Sequence, residues 1–140
     1  MKSTTALKII ASPLLVLIIS DIAVRMNLYE RYELFDVGMH TLGGVSIAVS
    51  WMVFEQALFP KSDRPWWYGL IVTLGIVALA ATVWEFYEFI LDQREMVAWR
   101  QLSLADTMGD YAAGLIGGLF VVGWSCVKRE YSHEKARSRP

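Results

Sequence analysis

Seven ionisable side chains of this 140-residue chain stand where apolar residues would be expected. Asp36 and His40, Glu85, Glu88 and Asp92, and Asp106 and Asp110 fall within, or at the ends of, segments otherwise apolar enough to cross a bilayer. An ionisable group at membrane depth costs roughly 2.5–3.5 kcal/mol on insertion scales, and such groups mark ion pathways, proton relays and ligand sites. Asp36 and His40 are four apart, so they share one helix face. Glu85, Glu88 and Asp92 follow a spacing of three and then four and share another. Asp106, Asp110, Ala113 and Gly117 share a third. Asp36, Glu85, Glu88, Asp92, Asp106 and Asp110 bring six carboxylates to the single imidazole of His40, with no Lys or Arg among them. In low dielectric they cannot all stay ionised. Several are protonated, or a cation neutralises them, or the pocket is well hydrated. Carboxylates with one His suit Zn²⁺, Mn²⁺ or Fe²⁺ better than an all-oxygen Ca²⁺ cage. The spacings match neither the Glu-x-x-His pairs of di-iron bundles nor the His-Glu-x-x-His of zincins.

Four segments are expected to position these groups, since a span needs about 20 mainly apolar residues. They run near Ala6–Val24, Phe35–Phe59, Trp66–Leu91 and Leu104–Val127, with Pro13 as a possible kink in the first. The links between them are short and polar. Lys2 and Lys8 before Ile9–Ile19 give the start a signal-peptide look, but no small-x-small cleavage site follows, so an uncleaved span is expected. Residues 1–127 are expected to form a four-helix transmembrane domain, and the charged residues 128–140 a disordered cytoplasmic tail. A soluble bundle would need a polar face on every helix, and Ile71–Thr82 and Leu115–Trp124 offer none. The 55% hydrophobic composition agrees, and the net charge of −1 excludes a nucleic-acid footprint. The lone Cys126 excludes an intrachain disulfide.

Loop charges predict the orientation. Lys2, Lys8, Lys61, Arg64, Lys128, Arg129, Lys135, Arg137 and Arg139 lie on one side, against Arg25, Arg31, Arg94 and Arg100 on the other. Both termini are therefore expected in the cytoplasm, with Trp66, Trp67 and Tyr68 as an aromatic belt on that side and Trp99 at the opposite interface. The three acidic clusters then converge at the outer ends of the second, third and fourth spans, and Asp21 could join them. At about 1.5 Å per residue, Glu85 lies roughly 10 Å deeper than Asp92, which predicts a funnel that narrows toward Glu85. Plainer roles stay open: Asp36 and Asp106 as helix caps, His40 as a partner for a neighbouring helix, and Glu55 as an interfacial or packing group. Trp84, Phe86, Tyr87 and Phe89 either wall the funnel or face lipid. Gly43 and Gly44, with Gly114-x-x-x-Gly118, allow close helix contact, within the chain or in a homodimer or membrane complex. There is no Gly-x-Ser-x-Gly and no phosphate-binding Gly-x-x-x-x-Gly-Lys, and Cys126 lies on the side opposite His40.

Three motifs in order resemble the VanZ-like membrane proteins, and more closely their YjdF-type (DUF2238) relatives. They are Asp36-Val-Gly-Met-His40 followed by Gly43-Gly44, then Trp84-Glu85-Phe86-Tyr87-Glu88, then Asp106-Thr107-Met108-Gly109-Asp110 leading to Gly114 and Gly117. The VanZ type usually carries Asn where this chain has Asp110, so its link to glycopeptide resistance does not carry over. The resemblance implies a multi-pass protein of the bacterial inner membrane and supplies no reaction. The residues themselves point first to a pocket handling a cation, a proton, a divalent metal or a cationic headgroup, lined by Asp36, His40, Glu85, Glu88, Asp106 and Asp110. An accessory subunit of a larger membrane complex is the alternative. A metal-dependent enzyme acting on envelope lipids comes third, since no catalytic motif accompanies the acids.

Overall fold

The computed structural model describes residues 3–32, 34–59, 64–93 and 103–137. Within them the chain is entirely helical: α1 (Ser3–Arg25), α2 (Leu28–Arg31), α3 (Phe35–Leu58), α4 (Trp66–Gln93) and α5 (Leu104–Arg137). Four of the helices carry apolar stretches of 22 to 25 residues, Thr4–Arg25, Phe35–Leu58, Trp67–Leu91 and Leu104–Lys128. At about 1.5 Å per residue each exceeds the roughly 30 Å hydrocarbon thickness of a bilayer. The large apolar side chains point outward: Leu7 is 69%, Ile71 63% and Phe120 69% exposed. In water such a surface would aggregate; in lipid it is the solvated one.

The interior is small and polar instead. Ala23, Ala48, Ala113, Ser20, Ser46, Ser50 and Thr73 are buried. Lipid tails are as apolar as leucine, so helices in a bilayer associate by close packing and hydrogen bonds rather than by hydrophobic burial. α3 is the central element and packs against α1, α4 and α5, while α4 and α5 also pack on each other. A Cβ on Gly44 would collide with the Gly114 carbonyl, and one on Gly117 with the Thr41 carbonyl. Only glycine permits that approach of α3 and α5. Gly118 turns the other way, where a Cβ would meet Val77 Cγ2 of α4 at 3.1 Å. Gly114 and Gly118 are both buried inside the bundle, so the glycine face joins α5 to α3 and α4. α1 is held to α3 by hydroxyls: Ser12 Oγ donates to the Ser46 carbonyl (3.4 Å) and lies 3.2 Å from Ser50 Oγ.

α1 continues through Pro13. The segment expected to be a loop holds the short α2, entered through Asn27 in the left-handed region (φ 52). α5 runs on to Arg137, through residues expected to be a disordered tail. Lys, Arg, Glu and Ala are strong helix formers, and no Gly or Pro follows Gly123 until Pro140, so charge alone does not end this helix. Residues 138–140, Lys61, Arg94, Trp99 and Arg100 lie outside the described residues, as do the side chains of Trp66 and Asp92.

Candidate functional site

The contacts that bind the helices also place the acids. Gly44 lies one turn beyond His40, and Gly114 one turn beyond Asp110. A Cβ on Gly114 would lie 3.7 Å from the His40 carbonyl. The glycine crossing therefore sets His40 beside Asp110, with His40 Nε2 3.7 Å from Asp110 Oδ1 and 3.4 Å from Asp36 Oδ1 on its own helix face. α4 is brought into register by a second contact, in which the Tyr111 hydroxyl donates to Thr82 Oγ1 at 2.7 Å. Thr82 precedes Glu85 by three residues and Tyr111 follows Asp110, so this bond ties the α4 acids to the α5 acid.

Two overlapping groups of donors result. Asp36, His40 and Asp110 form one, and His40, Glu85 and Glu88 the other, each with donor atoms within 4.8 Å of one another. His40 belongs to both. Three helices distant in sequence thus meet at one imidazole. Glu85, Glu88 and Asp110 are 6%, 6% and 4% exposed. The Thr107 hydroxyl of α5 lies beside the Glu85 carboxyl. Glu85 Oε1 is fully buried without a hydrogen-bond partner. Leaving such an acceptor unsatisfied costs about 1–3 kcal/mol, and more when it is charged.

The His40 contacts are longer than ordinary hydrogen bonds. An N–H···O bond is about 2.7–3.2 Å. Donors each about 2.0–2.1 Å from a tetrahedral ion lie about 3.4 Å apart. The His40 distances of 3.4 and 3.7 Å fall near the second value.

Of the six sequence-predicted site residues, Asp36, His40, Glu85, Glu88 and Asp110 come together. Asp106 sits at the rim, half-buried, in neither donor group. It is not the helix cap: Ser103 is, its Oγ accepting from the Asp106 backbone N–H at 3.1 Å. Ser103 with an acidic residue three positions on is the acidic analogue of a capping box. Asp21 does not join the cluster, because it is exposed and paired with Arg25 at 2.8 Å. Of the aromatics, Trp84 turns inward, while Phe86, Tyr87 and Phe89 are exposed on the lipid side. Thr107 was the residue sequence reasoning missed; its place between Asp106 and Asp110 was the available signal.

Beside the cluster lies a cavity of about 190 Å³. Its polar end is Asp36, His40 and Glu88; its body is apolar, walled by α1 at Pro13 and Leu17, by α3 at Gly43 and Ile47, and by α4 at Val77 and Ala81. Glu85 and Asp110 lie behind that wall, outside the cavity lining.

A family model described as "Predicted membrane protein (DUF2238)" matches residues 3–130. No curated protein and no solved structure matches the chain.

Proposed function

The chain belongs to the DUF2238 family of predicted membrane proteins, and from that premise we propose that its helical bundle holds a divalent cation at the meeting point of α3, α4 and α5. The carrying observation is the two donor groups that share His40, Asp36 with Asp110 across α3 and α5 and Glu85 with Glu88 across α3 and α4, the ligand atoms within each group lying within 4.8 Å of one another. The buried, unpartnered Glu85 Oε1 supports the same reading, because a cation is the partner it lacks. His40 supplies the nitrogen, and Asp36, Asp110, Glu85 and Glu88 supply oxygens. Asp106 stands at the entrance. One imidazole with carboxylates fits Zn²⁺, Mn²⁺ or Fe²⁺.

The excess of Lys and Arg in the loops supports a reading with both termini in the cytoplasm and the cluster in the outer half of the membrane, and the family resemblance supports a bacterial inner membrane. Reporter fusions at both termini test the orientation, and an outward signal at either end contradicts it.

Elemental analysis tests the ion. Protein purified in lipid nanodiscs is dialysed against Zn²⁺, Mn²⁺ or Fe²⁺ and assayed for retained metal. Retention in the wild type, lost in Glu85→Gln, Glu88→Gln and Asp110→Asn but kept in Glu55→Gln, is expected. No retention, or equal retention in all variants, sinks the proposal and leaves proton binding as the use of these groups.

A further inference from the structure

A single turn of helix stands over the polar end of the cavity. α2 is four residues long and contains no buried residue. One turn has no helical stability of its own, so tertiary contacts must hold it in place. Tyr29 makes two of them, and it lines the cavity together with Asp36 and His40. Its hydroxyl lies 2.9 Å from Ser20 Oγ of α1, and its ring meets Phe35 at the start of α3 edge-on, with centroids 5.0 Å apart. The chain enters α2 through Asn27, at φ 52 and ψ 37, whose side chain makes no capping bond. Left-handed backbone is uncommon outside glycine, although Asn tolerates it better than most residues. Segments with little burial are those that open at low free energy.

Asp36 and His40 belong at once to the cavity wall and to a donor group of the cluster. An ion that enters the cavity from water at this end therefore meets the cluster. We propose that α2 is a lid, hinged at Asn27 and latched by the hydrogen bond between Tyr29 and Ser20, that controls the exchange of ions between water and the cluster. This rests on reading the cluster as a cation site. Tyr29 is not one of the donors assigned to the ion, so the lid sets the rate of exchange and leaves the affinity alone.

An engineered thiol reports the lid without any metal. Gly43 lines the cavity and a Cβ there would meet nothing within 4 Å, so Gly43→Cys places a thiol in open space. Cys126, the only native cysteine, is replaced by serine in the same protein. Chelator-treated protein in nanodiscs is exposed to a membrane-impermeant methanethiosulfonate, and the rate of modification is read by mass spectrometry. Tyr29→Phe and Ser20→Ala are expected to speed modification about 2- to 10-fold, the factor by which losing one hydrogen bond of usual net strength shifts an opening equilibrium. Tyr29→Ala, which also removes the ring contact, should speed it by about 10-fold or more. Asn27→Val should act in the same direction, because a β-branched residue is ill-suited to φ 52, whereas Asn27→Gly should match the parent. Equal rates in the parent, Tyr29→Phe, Tyr29→Ala and Asn27→Val overturn the lid. In protein with native Gly43 loaded with Zn²⁺, Tyr29→Phe should speed release to a chelator by the same factor, with the same amount retained beforehand. Faster thiol modification with unchanged Zn²⁺ release also overturns the inference. Faster modification in protein that takes up no metal supports the lid over the cavity and removes the cation reading alone.

Discussion

The two ends of α3 solve the same problem differently. Near its C-terminal end, Glu55 is part-buried and the chain supplies its cation: Arg64 Nη1 donates to Glu55 Oε1 at 3.0 Å and to the Tyr68 hydroxyl at 3.1 Å, with its guanidinium over the Phe59 ring at 4.2 Å. Near its N-terminal end, Asp36, Asp110, Glu85 and Glu88 gather around His40, and among the described residues no Lys or Arg pairs with Asp36, Asp110 or Glu85. A carboxylate whose counter-ion is encoded in the chain is a structural element. The buried Glu85 and Asp110, with no Lys or Arg beside them among the described residues, are the reason we propose a cation at one end of α3 and none at the other.

The largest way to break this contrast is to push the helices apart at the crowded end. Gly44→Val forces a side chain into the Gly114 backbone, where overpacking costs about 1–3 kcal/mol even when side chains can yield, and a backbone carbonyl cannot. We expect no monodisperse protein on size exclusion, whereas Gly43→Ala should purify like the wild type. Removing the shared imidazole comes next. His40→Ala should weaken metal affinity by about 100-fold or more, the upper range for supporting groups around metal sites, and Arg64→Ala should leave it unchanged by titration calorimetry. Binding should also fall with acidification, because protons compete for the same imidazole and carboxylates.

The two ends should respond oppositely when an acid is replaced by an apolar isostere. Glu85→Met removes an orphaned buried acceptor, so metal-free protein should gain about 1–3 kcal/mol of resistance to denaturant while losing its ion. Glu55→Met strands Arg64 and should lower stability with metal retention intact. The smallest effect is expected for Arg64→Ala, about 0.2–1 kcal/mol, because the pair is partly exposed.

Much of this was legible before any coordinates. Charge-free apolar length gave the four spans, and spacing gave the shared faces of Asp36 with His40 and of Glu85 with Glu88, because both signals are local. The chain order of the clusters predicted their convergence, since antiparallel neighbours bring the start of one span to the end of the previous one. What escaped was pairwise and three-dimensional. Gly114 and Gly118 read as one motif, yet they serve different neighbours, a difference set by about 40° of helix rotation that a repeat of four does not display. Asp21 and Asp110 look alike as letters, but one faces outward to Arg25 and the other inward to His40. The cavity was invisible because it arises where the backbones of α1 and α4 stand apart on either side of α3. The helix runs on beyond Val127 because low hydropathy marks the end of a span, not the end of a helix.

X-ray absorption at the edge of the bound metal tests the central claim most directly. A first shell of nitrogen and oxygen with the scattering pattern of a single imidazole is expected, a pattern that disappears in His40→Ala. An imidazole signal that survives this substitution would assign the ion to His133, the chain's other histidine, and that result, or protein that takes up no metal at all, would contradict a site at His40.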